Sequence, residues 1–225
     1  MNLLYWNNFY LVVLFINVVS HETSDYLLQH ASKPLLMPLL AGYFLSAAKN
    51  KHSLSRWVLA ALFFSWAGDV LLMFQEKDSM FFMLGLSAFL LAHVFYIVFF
   101  LGIKDREQVK FRPLLLVIVA VYYAGLIYLL YPKLANMRIP VMVYGVVISA
   151  MFMLAMHMLF IKKEIAGRYM ISGALLFVAS DSVLAINKFY QPFDGAGIII
   201  MLTYGLAQLL IVKGTIKYVQ SAHKE

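Results

Sequence analysis

The chain has 225 residues and is 63% hydrophobic, 16% aromatic and only 13% charged, with a mean hydropathy of +0.82 and no cysteine. A soluble domain averages about 45–50% apolar and about 25% charged residues, so this composition excludes an ordinary soluble enzyme, a disordered chain and a fibrous repeat. The missing cysteines exclude a disulfide framework, thiolate metal ligation and a cysteine nucleophile. The net charge of +7 sits in short clusters between apolar runs rather than on one basic face, which points to membrane topology and away from a nucleic-acid partner.

Apolar runs near 3–20, 34–48, 57–74, 79–101, 113–131, 139–161, 169–187 and 195–212 predict eight transmembrane helices in one integral membrane domain over 1–225. At about 1.5 Å per residue, about 20 residues cross the hydrocarbon. Barrel strands would alternate over about ten residues, whereas these runs are apolar all round. The first run lacks a preceding Lys or Arg and a small-residue cleavage site, so it reads as a span and not a signal peptide. His21 to Lys33 reads as a polar loop. The second run is short and carries Pro34 and Pro38, which tilt it, kink it or require its flanks to extend it. Pro34 and Pro113 fit the first turn of a helix, where the missing N–H matters least.

The connections 49–56, 102–112 and 162–168 and the tail 213–225 hold 13 of the 18 Lys and Arg; the connections on the other side hold the remaining 5. The positive-inside rule then places both termini in the cytoplasm. Short loops suggest a bacterial inner membrane.

Of eleven acidic residues, only Asp69 and Asp181 fall inside spans, with no Lys or Arg in those interiors. A carboxylate at the bilayer centre costs roughly 2.5–3.5 kcal/mol on insertion scales, so an intramembrane pair is read as a functional site. Asp69 lies five residues, and Asp181 six, before the outer ends of their predicted spans, which puts them at similar depths. If their helices are neighbours the side chains meet, and one carboxyl of such a pair keeps its proton, giving a general acid beside a carboxylate. A shift of 112 residues aligns Ala67, Asp69, Leu72 and Gly85 with Ala179, Asp181, Leu184 and Gly197, the trace of a parallel 4+4 repeat about an axis along the membrane normal.

Other polar residues accompany the pair. His93 and Tyr96 share a helix face at i, i+3, and Tyr204 and Gln208 at i, i+4. Ser65 and Trp66 precede Asp69 by one turn, Ser180 adjoins Asp181, and Asn187 closes its span. The plain alternative for each is packing. A glutamine amide in hydrocarbon, however, needs hydrogen-bond partners. Lys33 and Lys188, on the outer side, are candidate phosphate partners or interfacial anchors. No metal-ligand spacing, glycine-rich phosphate loop, nucleophile elbow or dinucleotide fingerprint occurs, so neither metal nor cofactor is expected.

Four segments resemble one family in order along the chain. They are Ser65-Trp66-Ala67-Gly68-Asp69-Val70-Leu71-Leu72; Gly85 to Phe89 with His93 and Tyr96; Gly173 to Phe177 with Ser180-Asp181 and Leu184-Ala185; and Tyr204 with Ala207-Gln208 and Leu210-Ile211. They are similar to the motifs of the YhhN-like family, the lysoplasmalogenases. The resemblance implies an eight-span lipid hydrolase. It would act on a lysophospholipid among membrane lipids and cleave the vinyl ether of lysoplasmalogens to a fatty aldehyde and glycerophosphoethanolamine or glycerophosphocholine.

The residue chemistry agrees. A vinyl ether hydrolyses by protonation at its β carbon, addition of water to the oxocarbenium ion and collapse of the hemiacetal. That sequence needs an acid and a nearby anion, as in glycoside cleavage. Asp69 and Asp181 are expected to divide those roles, with Tyr204, Gln208, His93 and Tyr96 orienting water or the glycerol oxygen. Intramembrane aspartates and repeated halves also mark proton-coupled carriers, which stand as the alternative. An intramembrane aspartyl protease fits poorly, since no Pro-Ala-Leu sequence occurs. Oligomeric state is not encoded in these patterns.

Overall fold

The computed structural model describes residues 3–23, 25–48 and 53–221. Among them are eight α-helices and no strand: α1 (Leu3–Glu22), α2 (Tyr26–Ala47), α3 (Ser55–Leu72), α4 (Ser79–Arg106), α5 (Pro113–Leu130), α6 (Arg138–His157), α7 (Glu164–Ala185) and α8 (Ala196–Ser221). Seven of these helices are long and apolar enough to cross a membrane, so the chain is an integral membrane protein. The cations at Lys49, Lys51 and Lys224 lie outside the described residues.

The exception is α2, and it corrects the sequence reading. His21 to Lys33 is not a loop, because α1 runs to Glu22 and α2 begins at Tyr26. Asp25 caps α2, its Oδ1 accepting the Leu28 N–H at 3.1 Å, which satisfies one orphan donor of the first turn. Pro34 is therefore mid-helix rather than in the first turn. Gln29, His30, Ser32 and Lys33 lower the hydropathy of this half of the helix without ending it. A helical proline leaves the carbonyl four residues earlier without its amide donor. Pro38 does this to Pro34, and the indole Nε1–H of Trp66 donates to that Pro34 carbonyl at 3.1 Å. The kink-prone stretch of α2 is thus fastened to α3 one turn from Asp69.

The helices pair as α1 on α2, α3 on α4, α5 on α6 and α7 on α8, with further contacts of α2 on α3 and α6 on α7. Across the halves α4 packs on α6 and α8 on α2. Adding four to each label maps these pairings onto one another, but α1 also packs on α8 without a comparable α4–α5 pairing. Helices in lipid associate through close packing, so small residues sit where backbones approach. A Cβ on Gly173 would lie 2.7 Å from the Ala207 carbonyl oxygen, and one on Gly68 would lie 2.6 Å from the Phe89 ring. Only Val119 and Leu130 of α5 are buried, so α5 lies at the periphery. The core is formed by α1–α4 and α6–α8 around Tyr10, Leu36, Phe44, Tyr96, Phe99, Phe100 and Phe177.

Candidate active site

Three polar clusters lie inside the apolar bundle. In the first, Asp69 on α3 accepts the Tyr204 hydroxyl of α8 at Oδ2, 2.7 Å away, and its Oδ1 is 3.8 Å from Lys33 Nζ of α2. Its side chain is 2% exposed. No Lys or Arg lies within the two spans that carry the carboxylates, but Lys33 reaches Asp69 from α2. The continuation of α2 through Pro34 carries Lys33 into the bundle, away from the outer loop to which the sequence reading assigned it. Nearby, the Tyr10 hydroxyl donates to the Gly205 carbonyl at 2.8 Å and ties α1 to α8.

The second cluster joins the halves. Tyr96 of α4 donates to Gln208 Oε1 at 2.5 Å, and Gln208 Nε2 donates to Ser65 Oγ at 2.9 Å. All three residues are fully buried. Tyr96 and Gln208 are 112 positions apart, the same offset that separates Asp69 from Asp181. Gln208 finds here the partners that its amide required.

In the third cluster, Asp181 of α7 accepts the Tyr144 hydroxyl of α6 at Oδ2, 2.5 Å away, and His93 Nε2 of α4 stands 3.8 Å from the same oxygen. His93 is 0% exposed and its Nδ1 is 2.7 Å from the Phe89 carbonyl. A carbonyl can only accept, so Nδ1 carries the proton and Nε2 of the neutral ring is an acceptor. Nε2 has no hydrogen-bond partner among the described residues. With Asp181 ionised, Nε2 and Oδ2 are two acceptors 3.8 Å apart, and a donor such as water or a hydroxyl between them satisfies both. Asp181 and Tyr144 also line a cavity of about 40 Å³ with Phe82, Leu86, Val141 and Leu184. The Asp181 side chain is 14% exposed, which makes it the more accessible of the two carboxylates.

The two carboxylates do not meet. Their helices, α3 and α7, are not among the packed helix pairs, and each carboxylate has its own tyrosine and its own basic neighbour. Between the clusters stands an aromatic wall, in which Phe177 lies 4.7 Å from His93 and 5.5 Å from Tyr204 by ring centroid. In the 112-residue frame Phe177 occupies the place of Ser65, so a bulky ring fills one half where the other has a hydroxyl. The sites are nevertheless alike in the helices that serve them. Asp69 is served from α8 and α2, and Asp181 from the corresponding α4 and α6.

Other expected residues are placed elsewhere. Ser180 donates to the Ile200 carbonyl at 3.0 Å and serves the α7–α8 seam. Asn187 Oδ1 accepts the Phe193 N–H at 3.1 Å and fastens the α7–α8 connection. Lys188 lies in the π-helical turn that follows α7 and donates to Gln75 Oε1 at 3.2 Å. Tyr144 escaped the sequence reading because an isolated tyrosine in an apolar run has no periodic partner. Among the described residues no three His, Asp or Glu side chains converge to hold a metal ion.

A model of the YhhN family matches residues 28–215. A lysoplasmalogenase of Mycobacterium bovis is 33% identical over 87% of this chain and 73% of its own length. The human lysoplasmalogenase TMEM86B is 33% identical over 79% of this chain and 71% of its own length. For the human lysoplasmalogenase TMEM86A the figures are 33%, 74% and 68%. No solved structure matches the chain.

Proposed function

The chain belongs to the YhhN family, and we propose that it is a membrane lysoplasmalogenase whose proton-transfer chemistry centres on Asp181. The relatives named lysoplasmalogenase, similar across most of the chain, support the substrate class. The observation that carries the mechanism is the convergence of Asp181 Oδ2 and His93 Nε2, 3.8 Å apart, beside the cavity between α4, α6 and α7.

In its acid form Asp181 delivers a proton to the β carbon of the vinyl ether. The C=C pair forms the new C–H bond and leaves an oxocarbenium ion. The Asp181 carboxylate, held by the Tyr144 hydroxyl, stabilises that cation in surroundings where charges interact strongly. A water donating to His93 Nε2 adds to the oxocarbenium carbon, and its released proton passes through the imidazole to Asp181, restoring both groups. The hemiacetal then breaks its C–O bond, giving the aldehyde and the free glycerol hydroxyl. One vinyl ether and one water are consumed, and no external reductant or oxidant is needed.

Asp69 supports this centre from behind the Phe177 wall. With Lys33 and Tyr204 it fixes α2, α3 and α8, while the Tyr96–Gln208–Ser65 bonds hold the two halves in register. In the same reading the cation-poor connections face outward, both termini are cytoplasmic, and the membrane is a bacterial inner membrane.

The test is aldehyde release by purified protein in detergent, with lysoplasmenyl lipid and its saturated-ether analogue side by side. The proposal expects aldehyde from the vinyl ether alone, since a saturated ether cannot be protonated to the same cation. Turnover without a membrane gradient also separates a hydrolase from a carrier. No aldehyde from well-folded protein would overturn the proposal.

A further inference from the structure

At the ends of α4 and α7 a second cavity of about 640 Å³ is lined by Gln75, Asp78, Met80, Phe82, Lys188 and Phe189. Its volume is that of a typical ligand pocket. Phe82 and Phe189 also line the small cavity at Asp181, so the two spaces share a wall. That wall is a T-shaped ring pair with centroids 6.0 Å apart. The Lys188 ammonium lies 4.8 Å over the Phe82 ring and uses one donor on Gln75; an ammonium has three. Across the cavity Asp78 caps α4, its Oδ1 accepting the Met80 N–H at 2.8 Å. Among the described residues Lys188 and Asp78 form no ion pair with each other. The cavity therefore offers one cation and one anion over an aromatic floor.

We infer that this outer cavity is the head-group site and that it recognises a zwitterion, with Lys188 binding the phosphodiester and Asp78 the ammonium of a phosphoethanolamine- or phosphocholine-type head group. The inference rests on the hydrolase reading for what happens at Asp181, and on the cavity alone for what binds. The dimensions agree. Lys188 is seven residues beyond Asp181, about 10 Å along the helix axis. In a lysoplasmalogen six bonds separate the vinyl carbon from phosphorus, an extended span of about 7–8 Å. A head group on Lys188 thus holds the vinyl ether at the Phe82–Phe189 wall, next to the Asp181 carboxyl. The inner cavity, at about 40 Å³, is far smaller than the outer one at about 640 Å³, so head-group selection falls to the outer one. A cavity with one charge of each sign disfavours a head group that carries phosphate alone.

Three substrates with one alkenyl chain test this: alkenylglycerol, alkenylglycerol phosphate and the full phosphoethanolamine lipid. Lys188→Met keeps the aliphatic stem, and Asp78→Asn keeps a side chain that caps the helix. Loss of one charge-assisted contact raises KM about tenfold. Lys188→Met is expected to show that rise with both phosphate-bearing substrates, and the difference should disappear with alkenylglycerol. For Asp78→Asn the rise should be confined to the amine-bearing lipid. Equal effects on all three substrates, or none on any, would overturn the inference.

Binding of the saturated-ether lysophosphoethanolamine, which is not turned over, decides the cavity separately from the chemistry. It should weaken about tenfold in Lys188→Met, even if the wild-type protein were to release no aldehyde. Inorganic phosphate should not displace it at equal concentration; displacement as effective as by the lipid itself would identify a simple anion site and overturn the zwitterion reading.

Discussion

Tyr144→Phe deletes one oxygen atom and isolates the contribution of a residue that no motif pointed to. The hydroxyl donates to Asp181 Oδ2 at 2.5 Å in a half-buried setting. The ring remains in place against His93, with centroids 5.4 Å apart, so packing is preserved. A hydrogen bond to a charged group contributes about 1.5–3 kcal/mol. In the proposed cycle Asp181 becomes a carboxylate only after it has given up its proton, so the bond is strongest at the transition state and after it. Its loss should lower kcat by about 10- to 100-fold and leave KM within about twofold. The assay is aldehyde release at saturating and subsaturating lysoplasmenyl lipid. Tyr123→Phe is the control, because its hydroxyl donates at 3.2 Å to the Met142 carbonyl across the α5–α6 seam. It should turn over like the wild type. A Tyr144→Phe protein that melts like the wild type and retains full kcat would refute the assignment of Asp181 as the proton donor held by Tyr144.

Three further outcomes follow from the geometry. Gln208→Leu strands the Tyr96 hydroxyl and the Ser65 hydroxyl in a fully buried seam. At about 1–3 kcal/mol for each unsatisfied group, thermal unfolding in detergent should begin several degrees lower, by about 5–10 °C. Lys33→Met leaves the Asp69 carboxylate buried without its cation and should destabilise by about 3 kcal/mol. Adding Asp69→Asn should return most of that stability, and a melting experiment on the two singles and the double reads the coupling directly. Gly173→Val forces a side chain against the Ala207 carbonyl and the Ile211 backbone, 2.7 and 2.9 Å from the new Cβ. The monodisperse peak on size exclusion should be lost. Gly125→Ala, where a Cβ meets nothing within 4 Å, should run like the wild type.

What the sequence made legible was what hydrophobicity and charge encode strongly. Long apolar runs marked the helices, and two acidic residues inside them stood out because every other acid lies at an edge. A 112-residue offset separates Asp69 from Asp181, and the bond between Tyr96 and Gln208 joins two residues separated by that same offset. The start of α2 was not legible, because Gln29, His30, Ser32 and Lys33 look like loop to any hydropathy average. What keeps them helical is the Asp25 cap and a tertiary bond from Trp66 to a carbonyl left open by Pro38. That one misplacement hid Lys33 from the interior. The separation of the two carboxylates was hidden for a different reason. Depth follows from counting residues along each helix, but which helix faces which is decided by side-chain packing, and here Phe177 fills the space between the polar clusters.

Whether Asp181 moves the proton that opens the vinyl ether is read from the kcat for aldehyde release of Asp181→Asn. The amide is nearly the same shape as the carboxyl, so the Tyr144 contact and the melting temperature should survive. General acid catalysis contributes about 10²- to 10⁴-fold, and kcat should fall by about a thousandfold, while the saturated-ether lysolipid still binds. A folded Asp181→Asn protein that releases aldehyde at a rate near that of the wild type would contradict the account.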